Sequence, residues 1–179
     1  NETWNQKNAR FGWIDFIDDK EVSRALIQTA EEWAREKGME AIHGPLGFCD
    51  LDKEGLLVEG FEEMGTIITN YHYPYYREHL EELGYVKDVD WVEFEVIIPE
   101  QDQMDRLKKV GQRSLDQHDL SILRAKNKKE FEPYFKQIFE IINIAYEDLY
   151  GVVPLTDKQI DEYIKQYFSF VHPGYIALI

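Results

Sequence analysis

The sequence is short of cysteine, of positive charge and of long apolar runs, and each shortage excludes a class of protein. One cysteine in 179 residues excludes a disulfide scaffold and a cysteine-rich zinc site. No apolar run approaches the roughly 20 residues that a membrane-spanning helix needs. The net charge of −15 disfavours nucleic acids and anionic membranes as partners. The single cysteine also fits a reducing compartment, so we predict a cytoplasmic protein.

The chain also lacks the short motifs that mark common catalytic and metal sites. It has no Gly-x-Ser-x-Gly nucleophile turn and no Gly-x-x-x-x-Gly-Lys phosphate loop. Asp50, Asp52, Glu54 and Gly55 match the start of a calcium loop, but its twelfth position falls on Phe61 instead of a carboxylate. The five histidines have no metal-ligand spacing. We therefore predict a solvated acidic loop and no metal site.

The residues that are present predict a folded α+β protein in two parts. Hydrophobic residues make up 44% of the chain, including 4 Trp, 11 Tyr and 10 Phe, which is enough to bury a core. Residues 1–100 hold 9 basic and 23 acidic side chains, a net charge of −14. Residues 101–179 hold 11 and 12, a net charge of −1. This difference in charge predicts two structural units.

Hydrophobic periodicity and turn residues predict alternating strands and helices, which form a mixed sheet flanked by helices. The first helix places Val22, Leu26, Thr29 and Trp33 on one apolar face and ends at Gly38. The other predicted strands cover residues 11–17, 39–43, 86–98, 120–125 and 175–179. The other predicted helices cover residues 73–83, residues 101–115 and the stretch from Pro133 to Gly151, and a last helix follows the Thr156–Gln159 capping box. The chain ends inside its last predicted strand, so we expect it to be an excerpt of a longer protein.

Several stretches of the chain resemble the GNAT superfamily of acyl-CoA N-acyltransferases. In residues 16–38 a strand leads into a helix that ends in Trp-Ala-Arg-Glu-Lys-Gly, and the helix within residues 75–87 ends in Leu-Gly-Tyr. Residues 44–61 look like the matching segment of large bacterial GNAT-like proteins. Residues 118–179, with a strand, two helices and a strand, resemble the opening part of the same fold.

The resemblance implies the junction of two tandem GNAT-like domains of a bacterial protein, each incomplete here. Residues 1–100 would be the later part of one domain, residues 101–117 a linking helix, and residues 118–179 the opening part of a second domain. Alternatively, the two sets of elements pack together as one permuted domain, within one chain or through a swapped dimer. The oligomeric state is therefore left open.

The resemblance implies acetyl-CoA or another acyl-CoA as the donor, with its pyrophosphate at a glycine-rich turn before the first helix. Here that turn has no glycine and carries Asp18, Asp19 and Glu21, which repel a pyrophosphate. We therefore predict a plain capped helix start, and we assign no cofactor-binding residue. The family also often places a general-acid tyrosine four residues before the glycine of its Leu-Gly-Phe motif, and Leu80 stands there.

Two side chains are candidates for catalysis. Tyr76 lies one turn before Leu80 on the same helical face and could replace the missing acid, although the position also suits packing. His43 is a candidate general base because imidazole titrates near neutral pH, and the alternative is a structural histidine.

An aromatic run supplies the candidate substrate pocket. Tyr71, Tyr73 and Tyr75 are interleaved with His72 and Pro74 and could line a small-molecule site. The same residues could equally form the seam where the loop packs on the core.

These observations lead to two functional expectations. The first is an acyl-CoA-dependent N-acyltransferase, in which an amine or another small-molecule acceptor attacks a thioester. The second is a non-catalytic GNAT-like binding or scaffolding module, favoured by the missing glycine turn and by Leu80.

Overall fold

The computed structural model describes residues 3–170 and 172–179 and shows helices with a small two-stranded parallel sheet. The elements are β1 (Asn8–Arg10), α1 (Lys20–Glu36), β2 (Ala41–His43), α2 (Tyr75–Glu82), α3 (Gln101–Gln117), α4 (Phe135–Ala145) and α5 (Asp157–Phe170). The chain divides into two compact units, one of Asn1–Trp91 with Tyr146–Pro154 and one of Val92–Ala145 with Leu155–Ile179. The prediction of a mixed α and β chain is confirmed at this level.

The sheet of the first unit joins β1 to β2, with α1 as the crossover between them. Ala9 pairs with Ile42 and Arg10 with His43 in parallel register. The strand predicted over residues 11–17 is wrong, because the ladder ends after Phe11. Trp13 has a φ of 47°, a left-handed conformation that does not fit a strand. Pro45, beyond β2, has no N–H group with which to extend the ladder.

Helix α1 begins and ends where the sequence predicts, but it presents a different face to the core. Asp19 is its N-cap, and Gly38 follows it with a φ of 72°. The buried side chains are Ser23, Ile27 and Ala34, whereas Leu26 and Trp33 are 44% and 54% exposed. The predicted apolar face is therefore wrong. On the buried side, Ile27 packs in the core with Leu80 of α2, and Oγ of Ser23 lies 2.9 Å from Nδ1 of His79 on α2.

The core of the first unit is formed by Phe11, Ile27 and Leu80. Burying side chains of this size contributes about 1.5–3 kcal/mol each. Helix α2, predicted over residues 73–83, is confirmed as Tyr75–Glu82. It ends at Gly84, whose φ of 94° is easily adopted by glycine.

The strands predicted within residues 86–98 are wrong. These residues form no regular element, and Phe94, Val96 and Ile98 are each at least 80% exposed. Alternating side chains form a strand only where a neighbour supplies hydrogen-bond partners for the backbone. Within the part of the chain that the structure describes, no strand pairs with this segment.

The second unit contains α3, α4 and α5. The capping box that opens α5 is confirmed. The backbone N–H of Thr156 donates to Oε1 of Gln159 at 3.0 Å, and the backbone N–H of Gln159 donates to Oγ1 of Thr156 at 3.4 Å. The strands predicted at 120–125 and 175–179 are reduced to a single antiparallel bridge between Leu123 and Leu178. A 3₁₀ turn, Pro173–Tyr175, occupies the start of the second of these strands.

In the described residues, no helix combines the length and the apolar character needed to cross a bilayer.

Candidate functional site

One face of the two-stranded sheet carries polar side chains. Arg10 and His43 are partners in the parallel register, so their side chains project from the same face. The guanidinium of Arg10 donates to the carbonyl oxygen of Gly47 at 3.5 Å and also to that of Gly151. The bond to Gly151 links the segment Tyr146–Pro154 to this face within the first unit.

His43, Tyr150 and Asp88 form a hydrogen-bonded chain on this face, which we call the His43 relay. The hydroxyl of Tyr150 donates to the carboxylate of Asp88 and lies 3.3 Å from Nδ1 of His43. The ring of Trp91 packs edge-on against Tyr150, with centroids 5.8 Å apart. Nε2 of His43 is buried and has no hydrogen-bond partner among the described residues. The candidate base is therefore held at one ring nitrogen, and its other nitrogen is closed to solvent.

Burial sets the protonation of this relay. It lowers the pKa of His43, the Arg10 guanidinium lowers that pKa further, and the Asp88 carboxylate opposes both effects. Burial and the hydrogen bond to Asp88 raise the pKa of Tyr150 to about 12. At neutral pH the imidazole is therefore uncharged and the phenol keeps its proton.

The acidic loop beside the relay is half-buried, so the prediction of a solvated loop is wrong. Burial raises the pKa of Glu54 to about 7, and the nearby carboxylates of Asp50 and Asp52 raise it further against the pull of Arg10. Burial also raises the pKa of Asp50. The side chain of Asn70 donates to the backbone carbonyl oxygen of Glu54 at 3.4 Å. Glu54 is thus a carboxyl group that titrates near neutral pH.

Tyr76 lies in a different part of the first unit. It is 3% exposed, its hydroxyl donates to the Asp15 carboxylate, and it accepts from the backbone N–H of Phe16 at 3.1 Å. Burial and the bond to Asp15 raise its pKa to about 12. Its ring lies 4.2 Å from that of Phe16. These contacts are those of a packed tyrosine that anchors the segment before α1.

A second buried network joins α1 to α2. Nε2 of His79 lies 3.0 Å from the carboxylate of Asp18, and its Nδ1 lies 2.9 Å from Oγ of Ser23. This order of Asp, His and Ser resembles a nucleophilic triad. Ser23 is only 1% exposed, however, and its hydroxyl donates to the backbone carbonyl oxygen of Lys20 at 3.3 Å. The network satisfies buried polar groups at the helix contact.

The candidate pocket residues Tyr71, Tyr73 and Tyr75 form a stacked aromatic surface. Tyr71 and Tyr73 are each 58% exposed, and Tyr73 stacks on Tyr75 with centroids 5.8 Å apart. The hydroxyl of Tyr75 donates to the carbonyl oxygen of Phe16 at 2.8 Å. Tyr75 thus contacts the segment before α1, whereas Tyr71 and Tyr73 are exposed, and both the substrate pocket and the packing seam remain predictions.

Two grooves in the first unit share Gly12 and Trp13 in their linings. One, of about 290 Å³, includes Arg10, Gly47 and Phe48 in its lining. The other, of about 260 Å³, runs along Ile27 and its neighbours on α1. The volumes of both grooves are close to the lower limit for small-molecule binding sites, about 300 Å³. The first groove shares Arg10 with the polar face of the sheet.

The start of α1 does not fit a pyrophosphate. The Asp19 carboxylate accepts from the N–H groups of Glu21 at 2.8 Å and Val22 at 3.4 Å, so the first-turn donors already have an anionic partner. The nearby Lys20 is bound to Glu82 at 2.6 Å. The predicted capped helix start is confirmed.

Among residues 3–170 and 172–179, no group of three or more His, Cys, Asp or Glu side chains is placed to hold a metal ion. We assign no role to a metal.

Comparison with known proteins gives two curated relatives. Over 159 residues, 88% of this chain, it is 30% identical to Protein YghO of Escherichia coli (strain K12). Over 169 residues, 92% of this chain, it is 27% identical to Bacterial ceramide synthase of Caulobacter vibrioides (strain NA1000 / CB15N). The chain spans 40% and 43% of the lengths of these two relatives. No protein-family model and no solved structure matches it.

Sequence reasoning identified His43 but missed the groups that hold it. Tyr150 lies 107 positions after His43, and no local pattern links the two residues. Arg10 lies in a polar opening segment whose sequence gives no signal for a functional site. Only the parallel register and the return of Tyr146–Pro154 to the first unit bring these groups together.

Proposed function

We propose that the protein carrying this chain is an N-acyltransferase that forms an amide from a long-chain amine and an acyl thioester. The observation that carries the proposal is the similarity to Bacterial ceramide synthase over 92% of the chain. A ceramide is the amide of a fatty acid with a long-chain amino alcohol, so a ceramide synthase forms an N-acyl bond. The GNAT resemblance implies the same class of reaction.

The arrangement of the first unit supports this class of fold. Strand β1, helix α1, parallel strand β2 and helix α2 follow the order expected for the later part of a GNAT-like domain, but the paired strands expected after α2 do not form in the described residues. The division into residues 1–100, 101–117 and 118–179, with two incomplete GNAT-like domains, remains part of this proposal. The donor is proposed as an acyl-CoA by the resemblance, and the start of α1 supplies none of its binding contacts.

The chemistry requires a group that removes the surplus proton of the amine. The amine nitrogen bonds to the thioester carbonyl carbon, its proton passes to a base, and the carbon–sulfur bond breaks as the thiolate leaves. His43 suits the role of base because its imidazole is uncharged at neutral pH. Its Nε2 has no hydrogen-bond partner among the described residues.

The test uses the full-length gene product with a long-chain amino alcohol and a long-chain acyl-CoA. We expect mass spectrometry to detect the N-acyl amide, with one free thiol released for each amide formed. His43→Gln should lower kcat by about 100-fold or more, as expected for the loss of a general base. The matched control His118→Gln alters an exposed histidine and should keep full activity. A folded protein that releases no thiol and forms no amide with a series of amines would refute the proposal.

A second candidate function is a non-catalytic binding or scaffolding module. The observation that favours it is the start of α1, where Asp19 already occupies the N–H groups that a donor diphosphate would need. Calorimetric titration of acetyl-CoA distinguishes the two candidates. Saturable micromolar binding to the full-length protein supports the enzyme, whereas binding of a long-chain amine without binding of acyl-CoA supports the module.

A further inference from the structure

The proton on Tyr150 determines which nitrogen of His43 carries hydrogen. A phenol has one proton, and an ionised carboxylate only accepts hydrogen bonds. Because the hydroxyl of Tyr150 donates to Asp88, its oxygen can only accept from His43. The 3.3 Å contact therefore requires hydrogen on Nδ1 of His43.

The consequence at the other ring nitrogen follows directly. A neutral imidazole has one N–H group and one lone pair, so hydrogen on Nδ1 leaves the lone pair on Nε2. This atom is buried and has no hydrogen-bond partner among the described residues. Leaving a buried acceptor without a hydrogen bond is unfavourable, so a donor that reaches Nε2 is bound favourably.

We propose that Tyr150 and Asp88 are positioning residues that hold His43 in its Nδ1–H tautomer and thereby present Nε2 as the acceptor of the amine proton. The catalytic role of His43 rests on the proposed N-acyl transfer, whereas the assignment of its Nδ1–H tautomer does not depend on that proposal. In the reaction, the amine nitrogen bonds to the thioester carbon and its surplus proton moves to Nε2. The thiolate leaves, and the imidazolium returns the proton to the thiolate or to water. Because Nε2 is closed to solvent, the amine reaches it only when the side chains that cover it move.

The charged groups that face the relay come from three parts of the first unit. Arg10 on β1 disfavours protonation of His43, and Asp88 favours it. The negative charge of Glu54 also raises the pKa of Tyr150. Replacing Asp88 with asparagine therefore lowers the pKa of His43. The acid limb of the kcat/KM profile, which reports the base of the free enzyme, should move to lower pH.

The tautomer is tested by ¹⁵N NMR of the full-length gene product labelled at histidine, with the signal of His43 assigned by its loss in His43→Gln. We expect the shift pattern of an Nδ1–H imidazole at neutral pH. Tyr150→Phe keeps the ring but removes the hydroxyl, and we expect the pattern to change to that of a mixture of tautomers. Tyr146→Phe, in the same segment, is the matched control and should leave the spectrum unchanged. An Nε2–H pattern in the unaltered protein, or no change in Tyr150→Phe, overturns the proposal.

Kinetics then separates the two proposals. We expect Tyr150→Phe to lower kcat by about tenfold with little change in KM, because only the orientation of the base is lost. If the unaltered protein shows the Nδ1–H tautomer but forms no amide, the proposed function fails and the positioning of His43 stands. If amide forms and Tyr150→Phe keeps the full kcat and pH profile, the positioning role fails and the proposed function stands.

Discussion

Neutralising Glu54 should stabilise the protein at high pH and leave its stability unchanged at low pH. The folded structure raises the pKa of this carboxyl group from an ordinary value of 4.5 to about 7, chiefly by burial and then by the charge of Asp50. Below pH 4.5 the group is neutral in both the folded and the unfolded chain. As the pH rises through 7, the folded chain must hold a charge that the unfolded chain hydrates freely. Stability from the neutral form is therefore lost between pH 4.5 and 7.

The magnitude follows from the difference between the two pKa values. Each pH unit corresponds to about 1.4 kcal/mol, so complete burial would give an upper limit of about 3.4 kcal/mol. Glu54 is only half-buried, and solvent screening reduces this to about 1–2 kcal/mol. Glu54→Gln keeps the shape of the side chain and removes the charge. We expect its midpoint of thermal unfolding to exceed that of the unaltered protein by about 2–8 °C at pH 8.

The assay is thermal unfolding followed by circular dichroism at pH 4 and at pH 8. Glu59→Gln, which alters an exposed carboxylate in the same region, is the matched control and should change the midpoint by less than about 2 °C at either pH. The reasoning is refuted if Glu54→Gln has the same effect at both pH values, or if it lowers the midpoint at pH 8.

Three further predictions concern the first unit. Asp19→Ala removes the cap of α1 and should lower the free energy of unfolding in urea by about 1 kcal/mol. Ser23→Ala leaves the buried Nδ1 of His79 without its partner and should cost about 1–3 kcal/mol in the same assay. Gly12→Ala places a Cβ 2.4 Å from the carbonyl oxygen of Leu46, and the backbone shift that this forces should cost about 1–3 kcal/mol.

Each of these changes has a matched control in α3. Glu100→Ala alters an N-cap residue that makes no side-chain cap hydrogen bond, so it should have little effect. Ser114→Ala alters an exposed serine and should change stability by less than about 0.5 kcal/mol. Gly111→Ala adds a methyl group to open space within the helix and should stabilise the chain by about 0.5–1 kcal/mol. Equal losses in a variant and its control would contradict the corresponding prediction.

The predicted helices agree with the structure better than the predicted strands. Helices α1 and α2 are limited by local signals, Asp19 and Gly38 for one and Gly84 for the other. A strand has no comparable local signals at its ends, because its backbone hydrogen bonds go to another segment of the chain. Residues 92–98 show the difference, since their alternating pattern is as clear as any in the chain and no strand pairs with them in the residues described.

In the candidate site too, local sequence predicts the residue types but not their distant partners. His43 could be proposed from its residue type and its place before Gly44, and Tyr76 could be placed on the face of Leu80. Neither observation reveals that Tyr76 is packed against Phe16 or that His43 contacts Tyr150. A residue type gives the available chemistry, and the partners of that residue determine which part of the chemistry is used.

The sequence by itself determined the limits of α1 and α2, the Thr156–Gln159 capping box and the unsuitability of the α1 start for a diphosphate, because each depends on residues within one or two helical turns. Only the tertiary structure decided which face of α1 is buried, because the partner of that face is α2, about 50 positions away along the chain. It also decided the protonation of Glu54 and the tautomer of His43. Both depend on burial and on charges from distant segments, and the register of β1 with β2 and the return of Tyr146–Pro154 bring those segments together.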